Sequence, residues 1–164
     1  MPDGPRYEDD FFAWTRHQAE VLRSLAVADN RLDRAHLAEE IEDLGKSERD
    51  AVRSQIRRIL SHLLKLAHSP AEPPRFDWMQ TVLEARQTLS DKMSPSLRRD
   101  AEEILDKLYA DGRKRAAAAL RRYGEHTAAE TLPPLSPYSL DDICRDDWYP
   151  LRPGAQPREI NDDP

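Results

Sequence analysis

Residues 33–68 read DRAHLAEEIEDLGKSERDAVRSQIRRILSHLLKLAH, and this stretch decides the fold. Asp33 supplies a side-chain acceptor for the free amides of a helix start. Leu37, Ile41 and Leu44 recur at helical spacing, and Val52, Ile56, Ile59, Leu63 and Leu66 continue the apolar stripe. The run predicts one helix from about Asp33 to His68. Gly45 interrupts its middle and implies either a bend or a close helix crossing. Ser69 to Pro74, S-P-A-E-P-P, ends it, because proline removes an amide donor and clashes with the preceding turn.

The flanking sequence reads as more helix. Tyr7, Phe11 and Trp14, then Val21, Leu22 and Leu25, predict a first helix from about Tyr7 to Leu25, with Gln18 on the same stripe. Glu8, Asp9 and Asp10 would lie in its first turn, where negative charge suits the helix dipole. Trp78, Val82, Ala85 and Leu89 predict a third helix from about Asp77 to Lys92. Ser94 followed by Pro95 marks a fourth, running to about Glu125 through Leu97, Ala101, Ile104, Leu108, Ala116, Ala119, Leu120 and Tyr123. Gly112 could weaken or bend that helix. Thr131 to Tyr138 reads as an extended loop, and Ser139 caps a short last helix through Leu140, Ile143 and Cys144.

These elements predict an all-α, four-helix bundle-like domain with a short fifth helix. The expected domain spans residues 1–149, and residues 150–164 form a proline-rich, loosely attached tail. The second helix is longer than its neighbours, so its surplus would either overhang and pair with a second copy or fold back by bending at Gly45.

Composition narrows the function classes. In 164 residues, 38% are hydrophobic and 34% charged, and the net charge is -6. That acidic balance argues against non-specific binding to nucleic acid or membranes. The single cysteine cannot form an internal disulfide, the first ten residues lack the apolar run of a signal peptide, and no stretch is apolar enough to span a bilayer. The expected location is the bacterial cytoplasm.

Four groups of side chains carry candidate chemistry. Asp33, His36 and Glu40 share one helical face, and carboxylate with imidazole suits zinc, iron or manganese. A divalent metal there would need a further ligand from another helix, from His17 or from Glu125 with His126; a solvated, charged helix start accounts for the same residues, and no cofactor is predicted. Glu48, Gln55 and His62 follow at seven-residue intervals beside the apolar stripe. A rise of about 10 Å between them rules out joint chelation of one ion. The better reading is a set of polar core contacts, with Gln18, Arg86 and the Trp78 indole as partners. Glu39, Glu40, Glu42 and Asp43 read as a solvated acidic face. Arg113, Lys114, Arg115, Arg121 and Arg122, with Arg57 and Arg58, could meet phosphates, but Asp106, Asp111 and Glu125 stand close in sequence and no helix-turn-helix spacing appears.

Several short pieces occur in a recognisable order: Tyr7 with Asp10, Phe11 and Trp14; Gln18; Leu37 to Ile41; His62 to Lys65 before Pro70; Trp78 with Arg86; Ser94 to Leu97; Pro137 and Tyr138; and Asp147 to Pro150. As an ordered set, from about Tyr7 to Pro150, the chain resembles a bacterial family of helical proteins known only as a domain of unknown function, number twenty-nine in that series. Gly112 stands where that family more often has a helix-favouring residue, and Ser136 where a cysteine is common. The resemblance implies an all-helical fold and a cytoplasmic setting, and it brings no activity, ligand or partner. The expectation for function is therefore a non-enzymatic interaction module that binds a protein partner or itself through the long helix. A metal-dependent enzyme built on Asp33, His36 and Glu40 is the alternative, and a nucleic-acid-associated factor the third reading.

Overall fold

The structure is a computed structural model, and it describes residues 4–26 and 31–155. Seven helices and no strand occur among these residues: α1 (Phe11–Ser24), α2 (Arg34–His68), α3 (Arg75–Lys92), α4 (Pro95–Glu103), α5 (Leu105–Arg122), α6 (His126–Glu130) and α7 (Leu140–Cys144). The all-α expectation holds. The expected flexible tail lies mostly outside the described residues.

Local chemistry sets the helix starts. Asp10 accepts the Ala13 amide at 3.0 Å, and Asp33 accepts the His36 amide at 3.3 Å. Ser94 caps α4 with Pro95 as its first residue. Ser139 and Asp142 form a reciprocal capping box on α7.

The long helix α2 is the axis of the molecule. Its C-terminal half buries Val52, Ile56, Ile59, Leu60, Leu63, Leu64 and Leu66 against α3 and α5. Trp78, Val82, Ala85 and Leu89 of α3 are buried as the spacing predicts. From α5 come Leu108, Tyr109, Ala116 and Leu120. Its N-terminal half packs mainly against α1.

Gly45 and Gly112 are crossing points rather than bends. A β-carbon on Gly45 would collide with the Thr15 side chain of α1. On Gly112 it would lie 2.9 Å from the Leu60 β-carbon and 3.2 Å from the Arg57 carbonyl oxygen. Each glycine lets two helix backbones approach closely, and α2 runs unbroken through Gly45.

Three expected elements are corrected. The first helix begins at Phe11, because Asp10 acts as its cap rather than lying within its first turn. Its buried residues are Phe12, Thr15 and Ala19, so the stripe of Tyr7, Phe11, Trp14, Val21 and Leu25 is turned away from α2. The expected fourth helix is two, α4 and α5, separated at Ile104. No glycine or proline forces this break. It lets α4 bury Leu97 and Ala101 while α5 takes its own line along α2. Finally, the expected helix end near Glu125 moves back to Arg122, just before Gly124 with its left-handed φ of 81°, and α6 occupies residues 126–130, for which no element was expected.

Candidate docking surface on the first two helices

The α1–α2 arm is an antiparallel helical hairpin with two unlike sides. Its seam is set by Phe12, Thr15 and Ala19 on α1 and by Ala38 and Gly45 on α2. One side is charged. Arg23 donates to Glu42 at 2.5 Å, and Lys46 reaches Asp43 at 2.9 Å and Glu42 at 3.7 Å. The Arg23 hydrogen bond, with the nearby Lys46 charge, holds the Glu42 carboxyl below its ordinary range.

The opposite side is apolar. On α2, Leu37, Ile41 and Leu44 lie within about a third of a turn of the seam, and on α1 Leu25 lies about a third of a turn from it in the same sense, with Val21 further round. In an antiparallel pair, equal offsets of the same hand fall on one side. Leu37 is 41% exposed, Leu44 57% and Leu25 41%, with Val21 also open. Trp14 and Tyr7 extend this face at its lower end, their rings 4.9 Å apart and edge-on, and both touch Phe11. On α2 the stripe continues as Glu48, Gln55, Ile59 and Leu66, alongside α3. There α3 stops: Lys92, its last residue, holds the Glu48 carboxylate at 2.8 and 2.9 Å. The seat that α3 fills on the lower half of α2 therefore continues uncovered along the upper half.

Residues 6–149 match the model of a family described as domain of unknown function DUF29. The chain belongs to this family. It is similar to the crystal structure, at 1.45 Å resolution, of an alpha-helical protein of unknown function from Rhodospirillum rubrum ATCC 11170. The two are 28% identical, the match covers 88% of this chain and 92% of that one, and the TM-score is 0.76. No curated protein matches. The family resemblance read from the ordered motifs is thereby established. No helix among the described residues of this DUF29 chain is long and apolar enough to cross a membrane.

The polar residues singled out in the sequence do not form one network in the DUF29 fold. Glu48 takes Lys92, a partner that sequence spacing did not suggest. His62 uses its Nδ1 on the Arg58 carbonyl oxygen, 2.8 Å away within its own helix. Burial, with the nearby Lys65 charge, pushes the His62 imidazole down to about 4. The Gln55 carbonyl oxygen is buried without a hydrogen-bond partner among the described residues. Trp78 lies under the Lys65 ammonium, 5.0 Å from the ring centroid. Burial pushes that Lys65 amine down to about 8. Gln18 is half-buried beside Tyr7, Trp14 and His17. The expected pairing of Gln18, Trp78 and Arg86 with Glu48, Gln55 and His62 is thus replaced by separate contacts. Helical register puts these residues on one side of α2, but the neighbouring helices meet them at different heights.

Arg86 is the most deeply buried of the set, 1% exposed, and it acts elsewhere. Its guanidinium donates to the carbonyl oxygens of Ile143 at 2.9 Å, Asp142 at 3.0 Å and Trp148 at 2.8 Å. These are orphan acceptors at and beyond the end of α7. Tyr149 stacks over the same group, with its ring centroid 5.2 Å away.

Asp33 and His36 face solvent on the first turn of α2. His36 Nδ1 bonds Asp33 Oδ2 at 2.5 Å, which lowers the carboxyl and raises the imidazole from their ordinary values. Glu40 is exposed further along the same helix. Among the described residues, no three His, Cys, Asp or Glu side chains come together in a metal-ligating cluster. Of the arginines, Arg57 pairs with Asp111 at 2.9 Å, and Arg113 donates to the Leu132 carbonyl oxygen at 3.0 Å. Lys114, Arg115, Arg121 and Arg122 remain exposed.

Proposed function

We propose that this DUF29 protein is a non-enzymatic helical module that associates with a second copy of itself through the open face of the α1–α2 hairpin. The carrying observation is the exposure of Leu37, Leu44, Val21 and Leu25 on one side of the arm, opposite a side crosslinked by Arg23, Glu42 and Lys46. A two-helix hairpin with one apolar side is half of a four-helix bundle.

Three features favour a second copy as the occupant. The centre of the face, formed by Trp14, Gln18, Val21, Leu25, Leu37, Ile41 and Leu44, carries no formal charge. Such a surface is self-complementary about a two-fold axis and offers no charge to select a different partner. The exposed side chains of Val21, Leu25, Leu37 and Leu44 fall together on the arm, as apolar side chains do at association sites.

Sedimentation equilibrium on the full chain tests the reading. The expected result is a dimer that becomes monomeric in the Leu37→Glu, Leu44→Glu double variant with its helical circular dichroism intact. Both positions are exposed, so the double variant should fold. A wild-type monomer at every concentration, or a dimer indifferent to the double variant, would overturn the proposal.

A further inference from the structure

A second site lies at the other end of the molecule, away from the hairpin. Between the loop entering α3 and the end of α5 is an open cleft of ≈ 520 Å³, within the size range of small-ligand sites. Its walls are Pro73, Pro74, Asp77, Trp78, Tyr123 and Glu125. Tyr123 is 73% exposed and offers an open ring at the rim. Glu125 is half-buried, and its Oε2 is buried without a hydrogen-bond partner among the described residues. A shielded carboxylate oxygen without a donor is costly, and a ligand that brings an N–H recovers that cost.

We propose that this cleft binds a primary ammonium on an apolar stem, as a lysine side chain of a partner would present it. Glu125 turns its carboxylate out of the cleft wall to accept from the ammonium, and Asp77 at the rim offsets the nearby Lys65 charge. The rings of Trp78 and Tyr123 and the two prolines line the stem. Lys65 already lies on the Trp78 ring, so charge recognition rests on Glu125 and Tyr123, and Trp78 serves as a wall. A hard metal ion would need about six oxygen ligands, which two carboxylates do not supply. A quaternary ammonium has no N–H for the orphan oxygen.

The test is an NMR titration of the full chain with n-butylammonium, following the Trp78 indole and the Tyr123 ring. Tetramethylammonium and n-butanol serve as controls. Saturable shifts are expected with n-butylammonium, with much weaker responses to the controls. Glu125→Gln should weaken binding about tenfold, since a charge-assisted hydrogen bond becomes a neutral one. Tyr123→Ala removes an exposed ring and should weaken it about threefold with the fold unchanged, which keeps the test decisive if Glu125→Gln fails to fold. Absence of saturation, an equal response to tetramethylammonium, or affinity unchanged in both variants would overturn the proposal.

Discussion

Gly45 of α2 lies against the Thr15 side chain of α1 so closely that no β-carbon fits between them. This contact holds the two helices of the arm at backbone distance and turns their apolar stripes to one side. In Gly45→Ala, the gain in helix propensity, about 1 kcal/mol, opposes a steric clash costing about 1–3 kcal/mol. The clash should win because Thr15 is fully buried and cannot swing out. Urea denaturation should show net destabilisation, and Thr15→Ala in the same chain should restore part of it.

Arg86 ties α7 and the segment after it to α3. Replacing it with Met keeps much of its volume but leaves the carbonyl oxygens of Asp142, Ile143 and Trp148 without this donor. The expected cost is about 3–5 kcal/mol, the range for breaking a buried charged network. Hydrogen exchange should accelerate across residues 140–149 before it does so in α2. A uniform change over the whole chain would refute a local role.

Asp10 joins the start of α1 to the start of α4. Its carboxylate caps Ala13 and accepts from the Ser96 amide at 2.8 Å, the Ser96 hydroxyl at 2.6 Å and the Ser94 hydroxyl at 3.0 Å. Burial pushes the carboxyl up, but these hydrogen bonds together outweigh it and leave the group below its ordinary value. A depressed carboxyl contributes stability that is present above its unfolded pKa and lost as pH falls through the folded one. Asp10→Ala should cost about 1–2 kcal/mol at neutral pH. That difference from wild type should shrink below about pH 4, as read from denaturation curves at several pH values.

His62 titrates in a different window. The folded imidazole is pushed down to about 4 from an ordinary 6.5, so the unfolded chain binds its proton first as pH falls. Stability contributed by the neutral ring is full above pH 6.5 and is lost between 6.5 and 4. A His62→Gln variant lacks this proton uptake. Between pH 7 and pH 4, wild type should lose about 1–2 kcal/mol more than the variant, after allowance for solvent screening. Parallel slopes for the two proteins would contradict this account.

Much of the fold was legible before any tertiary contact was known. Asp33, the stripe from Val52 to Leu66, and the breaks at Ser69–Pro74 and Ser94–Pro95 fix α2, the body of α3 and the start of α4 through spacing and capping, which act within a few residues. Asp10 directly before Phe11 carried a readable cap signal for α1, but a nearby run of acidic residues obscured it. The break at Ile104 had no local mark, because Glu102 to Asp106 contains neither glycine nor proline. Arg23 with Glu42 and Lys92 with Glu48 meet across helices, and no spacing within one helix encodes them.

The sequence by itself determined where the helices are and which of their faces are apolar, since periodicity and caps are properties of neighbouring residues. Only the tertiary structure decided which apolar face is buried. The stripes through Leu37, Ile41 and Leu44 and through Trp14, Val21 and Leu25 look like core by spacing. Trp14 and Ile41 stay only half-buried and the other four are exposed, because close contacts at Gly45 and Thr15 turn the seam between α1 and α2 elsewhere, and because α3 ends at Lys92. Burial depends on which surfaces meet in three dimensions, and that is settled by packing between distant residues.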